Sequence, residues 1–232
     1  YISLGDFELN APQTPIYYQK AVDLLEKTMA LSNLPDTAKL DRLSQAYLAW
    51  GKYLLAMEKP AEAILKLNAA LQAGKKLSAP FEEGTLGEMM VERRVLSPVY
   101  LEICRANLMM GKAAEAKKAF NISDEMLQNK LNATLIGHVY LLENNEIEAF
   151  LNYGAIKTGE DLGEALFQID QMADLLPAQR RHLRAFKPTL QNAFLANHPE
   201  ISPEEVDYWR SSLQTTRYGV LGQWDSALNW SN

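Results

Sequence analysis

The chain has three histidines, His138, His182 and His198, and a single cysteine, Cys104. The histidines are far apart, and none stands in a metal-binding spacing such as H-E-x-x-H, where ligands four residues apart share one helix face. One cysteine excludes an internal disulfide and any cysteine-rich metal site. The chain has no G-x-G-x-x-G after a strand-like run, no P-loop and no G-x-S-x-G turn. Glu82-Glu83 and Glu204-Glu205 are adjacent carboxylates, but their context makes them loop and helix-cap residues. No constellation for catalysis results, and the expectation is a protein that is not an enzyme and uses neither cofactor nor metal.

Two further features could carry binding. Q-R-R-H-L-R-A-F-K puts Arg180, Arg184 and Lys187 at i, i+4 and i+7 on one helix face, where they could hold a phosphate or an acidic segment. The competing expectation, which is preferred, is a solvated face with Phe186 in the core. N-x-S/T triplets begin at Asn121, Asn132 and Asn229, and no function is assigned to them.

With a net charge of -6 and a pI near 5.2, the whole molecule does not suit a nucleic acid or an anionic membrane. At 47% hydrophobic and 22% charged residues, it has the composition of a globular chain, not a disordered one. No apolar run approaches the ~20 residues needed to span a bilayer. The chain opens on Tyr1 and is read as a processed form or a piece of a longer protein, which leaves its localisation open.

What must position any site is a recurring helical arrangement. Gly51 and Ala63 stand twelve residues apart on two apolar helical stretches, with a break at Lys59-Pro60. Cys104 and Ala116 repeat the step around Gly111-Lys112, and Gly137 and Ala149 repeat it around Asn144-Asn145. Antiparallel helices pack closely only where both present a small residue at the crossing. Larger residues then fill the flanks: Tyr47, Trp50, Leu54 and Leu67, then Tyr100, Ile103 and Phe120, then Ile136, Tyr140 and Tyr153. Cys104 takes a crossing position and is read as packing.

These residues resemble the tetratricopeptide repeat, a helix-turn-helix unit of 34 residues. The third unit fits well, with Ala133, Ile136-Gly137, Tyr140, Asn144, Ala149, Tyr153 and Ile156. Asn107 replaces an aromatic residue in the second, and the closing proline is missing from all three. The resemblance covers about Asp36 to Lys157. It implies an all-α fold, a right-handed superhelical solenoid of antiparallel helix pairs. It also implies a scaffold that binds an extended or helical protein segment in a concave groove, without a cofactor. The alternative is a ligand- or peptide-sensing or regulatory module of a larger protein.

The expected organisation is an extended arm over 1–13, repeats over 14–160 with an insertion at 78–97, and degenerate repeats with a cap over 161–232. Thr14-Pro15 starts the first helix, and Asn33-Leu34-Pro35 ends it. Helices follow at about 37–57 and 60–76. The insertion begins as a loop and turns helical from Leu86; at Ser97-Pro98 either one long helix kinks or a new one is capped. Pro177 separates helices at 161–176 and 178–196, and Pro188 ends or kinks the second. Ser202-Pro203-Glu204-Glu205 is a capping box. Tyr218 and Gly222 with Ala227 resemble the repeat's own turn once more.

In each unit the residue after the crossing residue faces the concave side: Lys52, Arg105 and His138. Leu48, Leu101 and Thr134 lie one turn earlier; Leu55, Leu108 and Leu141 lie one turn later, with Ala56, Met109 and Leu142 beside them. The expected groove is a cationic ladder in an aliphatic trough, suited to a protein or peptide with acidic and apolar side chains. Gln45, Leu48, Ala49, Leu101 and Glu102 occupy positions where peptide-clamping relatives hold a terminal carboxylate, so no such clamp is expected. An i, i+3 pair between Glu102 and Arg105, or burial of the trough under a C-terminal helix, competes with the open groove.

Overall fold

The computed structural model of the chain describes residues 14–30, 37–127 and 133–222, and all their regular structure is helical. The expected arm over 1–13, the Asn33-Leu34-Pro35 stop and the last turn's continuation to Ala227 lie outside these residues. None of the described helices is long and apolar enough to cross a membrane. The chain forms two compact units, 1–106 with 118–131 and 107–117 with 132–232.

In the first unit, α1 (Thr14–Ala30), α2 (Thr37–Ala56) and α3 (Pro60–Ser78) pack in chain order. Tyr18 and Val22 bury the inner face of α1, and the Tyr18 ring stacks on Trp50 and tilts against Tyr53 of α2. Gly51 is the close-approach point of α2 and α3: a Cβ there would lie 2.5 Å from Leu67 Cδ2. Ala63, Leu67 and Ala70 are fully buried, and Ser44 Oγ donates to the Ala70 carbonyl at 3.0 Å. Lys66 sets its ammonium over the Trp50 ring.

Residues 86–109 form one continuous helical path. α4 (Leu86–Val91), capped by Thr85, passes through a π turn at Glu92–Leu96 into α5 (Ser97–Met109). The physical reason is Pro98, which has no N–H to give its preceding turn. The register widens there, so that the Ser97 N–H reaches the Glu92 carbonyl, five residues back. Neither a fresh cap nor a break is found. Leu40, Leu77, Val91 and Val95 form a core cluster that ties this path to α2 and α3. α6 (Ala113–Met126) carries Ser123, whose hydroxyl bonds Ser97 at 2.6 Å.

Three turns share one geometry. Glu58, Gly111 and Asn144 each adopt positive φ, at 56°, 72° and 58°. The following N–H, from Lys59, Lys112 and Asn145, reaches five residues back to Leu54, Asn107 and Tyr140 at 2.8, 2.9 and 2.9 Å. That pattern closes a helix through a left-handed residue, which suits Gly and Asn. At Glu58 an ordinary side chain tolerates the strained conformation. Gly222, with φ 71° and its N–H on the Gly219 carbonyl, repeats the first half of the same turn.

The second unit holds α7 (Ala133–Leu142), α8 (Glu146–Tyr153), α9 (Gly159–Leu175), α10 (Arg180–Asn197) and α11 (Pro203–Val220). A Cβ at Gly137 would meet the Tyr153 ring at 3.0 Å, so α7 and α8 cross there. Tyr153 and Phe150 pack on Phe186 of α10. Gly163 lets α9 approach the α11 backbone: a Cβ would lie 3.0 Å from the Val206 carbonyl and 3.1 Å from the Arg210 nitrogen. Thr158 caps α9 and Ser202 caps α11, each accepting an N–H three residues on. Pro188 lies inside α10, which continues through it to Asn197.

Candidate functional site

In the first unit, α1 and α2 leave an open depression of about 450 Å³ lined by Tyr18, Gln45, Leu48, Ala49, Tyr53 and Ala56 with Lys52 at its edge. The Lys52 side chain is 55% exposed, and its ammonium lies 3.9 Å from Glu102 Oε1. Arg105 Nη1 donates to that same oxygen at 2.8 Å. Glu102 is 7% exposed, so one covered carboxylate serves two cations and leaves a local surplus of positive charge. The i, i+3 pair expected from the sequence is present. Leu48, Ala56 and Leu101 are half-buried and keep some surface for a partner.

The remainder of the expected trough is closed. Leu55, Leu108, Met109, Leu141 and Leu142 are buried in the core, as is Thr134. His138 is 1% exposed, so it is not an open groove cation. Its Nδ1 lies 2.5 Å from the Tyr153 hydroxyl and its Nε2 2.7 Å from Gln168 Oε1 of α9. Gln168 Nε2 donates to Glu164, which fixes the amide and makes His138 Nε2 the donor to Oε1. The correction has a physical cause: α7 is apolar around its whole circumference, and such a helix is buried on all faces.

Cys104 is fully buried, and burial pushes its thiol up to about 12, which suits packing and not nucleophilic chemistry.

The basic cluster on α10 is not a simple solvated face. Asp170 of α9 pairs with the Lys187 ammonium through Oδ1, and its Oδ2 accepts from Arg210 Nε of α11 at 2.8 Å. One turn on, Asp174 Oδ2 accepts from Arg217 Nη1 at 2.9 Å, and its Oδ1 lies 3.4 Å from Arg184 Nη2. Arg180 donates to the carbonyls of Ala173 and Asp174. Burial and the neighbouring Arg210 and Arg184 hold Lys187 below the ordinary lysine range, against the opposing pull of Asp170. Asp170, Asp174, Arg184, Lys187 and Arg210 line a pocket of about 460 Å³. Charge spacing on α10 pointed to Arg184 and Lys187. Asp170, Arg210 and Arg217 lie on other helices, and no local pattern could pair them.

The sequence matches no protein family model, no curated protein and no solved structure.

Proposed function

We propose that the chain is a tetratricopeptide-type repeat protein and a binding scaffold, not an enzyme. Its partner is a protein segment that presents apolar side chains beside an acidic one. The shared geometry of the turns at Glu58, Gly111 and Asn144, together with the crossings at Gly51 and Gly137, supports the repeat reading. The observation that carries the site is the apolar depression over α2 with the exposed Lys52 ammonium at its rim. Apolar contact with Leu48, Ala49 and Ala56 supplies affinity, and Lys52 sets the register. A second reading, a ligand-sensing or regulatory module of a larger protein, is favoured by the charged pocket in the C-terminal unit.

The test is selection of displayed peptides on the chain, followed by photo-crosslinking from p-benzoylphenylalanine placed at Ala49 or, as a control, at exposed Leu65 of α3. Peptides pairing Asp or Glu with Leu or Phe are expected, crosslinked from position 49. Lys52→Glu should weaken them about 3–10-fold, the range of a rim charge contact. Crosslinking confined to position 65, or binding indifferent to Lys52→Glu, would reject this face.

A further inference from the structure

The segment between α3 and α5 keeps three large apolar side chains in solvent. Leu86 is 74% exposed, Met90 56% and Phe81 42%. Leu86 and Met90 stand four residues apart and share the outer side of α4, turned away from the buried Val91 and Val95. The Phe81 ring lies against Gly87, where no side chain stands in its way, and so adjoins the same side. Packing holds this patch in place. Val91 and Val95 anchor the inner side of the path to Leu40 and Leu77. Thr85 Oγ donates to the Glu82 carbonyl at 2.7 Å and the Gly84 N–H donates to Glu88 at 2.6 Å, which ties the loop to the first turn of α4. A preformed patch loses little conformational freedom when it is covered.

The charges at its two ends say what fits. Glu82 and Glu83 are exposed just before α4, and Arg93 and Arg94 are exposed in the π turn after it. Arg93 Nε donates to the Met126 carbonyl at 3.3 Å; Arg94 lies 3.7 Å from Asp41 with its side chain 70% exposed. The face therefore runs from an acidic end through apolar side chains to a basic end. A partner segment of one charge sign would be repelled at one end. The order is also symmetric about residue 88: reversing the segment exchanges 86 with 90, 83 with 93 and 82 with 94. A copy laid antiparallel sets Leu86 on Met90 and brings acids to arginines at both ends. Such self-complementarity is what a two-fold interface requires.

We propose that α4 and its flanks pair two-fold with the same face of a second copy of this chain. Three apolar side chains fall well short of the ~800 Å² per partner of a stable interface, so the pairing is weak and concentration-dependent. None of these residues lines the α1–α2 depression, and the proposal is independent of that site.

The test is sedimentation equilibrium of the full chain between about 10 µM and 1 mM, where monomer should pass to dimer with a Kd of about 0.1–1 mM. Leu86→Glu alters an exposed position, leaves the core alone and should weaken pairing about tenfold or more. Arg93→Glu with Arg94→Glu gives a face of one sign, and Glu82→Arg with Glu83→Arg gives a face of the other. Each double variant should stay monomeric, and the two mixed should form a heterodimer at least as tight as the parent pair. A parent chain that is monomeric at 1 mM overturns the proposal and leaves the face to a different chain. Dimerisation that Leu86→Glu leaves within twofold places the contact elsewhere and overturns it too. Charge variants that keep parent helicity yet pair like the parent, or fail to pair when mixed, overturn the antiparallel register. Should those variants lose helicity, the methyl resonances of Leu86 and Met90 in the parent chain decide: they should shift with concentration, and unmoved methyls refute the contact.

Discussion

Gly51 and Gly163 both sit inside helices at close crossings, yet replacing each with Ala should have different consequences. In a helix interior Ala is favoured over Gly by about 1 kcal/mol. At Gly51 the added methyl meets the side chain of Leu67, at 2.5 Å from Cδ2 and 2.7 Å from Cγ, and no backbone atom is among its nearest neighbours. Leu67 can swing aside for about 0.5–1.5 kcal/mol, so the net change is close to zero. At Gly163 the methyl meets Trp209 Cβ at 2.7 Å and two α11 backbone atoms, the Val206 oxygen at 3.0 Å and the Arg210 nitrogen at 3.1 Å. No rotamer relieves that contact, and α11 itself must move. Overpacking of this kind costs about 2–3 kcal/mol, which leaves a net loss of about 1–2 kcal/mol after the propensity gain. Native-state hydrogen exchange reads each helix separately. Gly163→Ala should raise exchange of the most protected amides of α9 and α11 about 5–30-fold. Gly51→Ala should leave α2 and α3 within about twofold. If Gly163→Ala exchanges no faster than the parent, the backbone approach of α9 to α11 is refuted.

Two other predictions concern buried ionisable groups. Burial holds the Tyr153 phenol well above its ordinary 10.0, so above that pH the unfolded chain loses a proton that the folded chain keeps. Its stabilising effect is complete below pH 10 and declines as pH rises; in Tyr153→Phe the alkaline loss should be shallower by about 1.4 kcal/mol per pH unit, measured by urea unfolding between pH 10 and 11.5. An unchanged slope would place the phenol in water. Cys104, pushed up to about 12 by burial, should not react with Ellman's reagent at pH 8 until the chain is unfolded in guanidinium, and rapid labelling of the native protein would contradict its burial.

Much of the helical plan was legible because it depends on local chemistry. The helices near 37–57 and 60–76 follow from apolar period and from Pro60, and the structure places them at Thr37–Ala56 and Pro60–Ser78. Small residues at Gly51 and Gly137 marked close crossings, and both are found. Ser202 and the acids after it marked the start of α11. The groove was less legible. Lys52 kept its surface, but the same register position in α7 holds His138, which Tyr153 and Gln168 enclose. Pro98 and Pro188 were also ambiguous, since a proline removes one N–H and only the neighbouring packing decides whether the helix ends, widens or continues.

The sequence alone determined an all-helical chain, the places where helices turn, and the residues small enough to let pairs touch. These are set by periodicity, capping and side-chain volume, each of which acts within a few residues. Which faces stayed open and which charges met was decided by tertiary structure. Asp170 finds Lys187 and Arg210 across 17 and 40 residues of chain, and His138 finds Gln168 across 30. Burial and ion pairing depend on what packs opposite, and a helix carries no record of that in its own period.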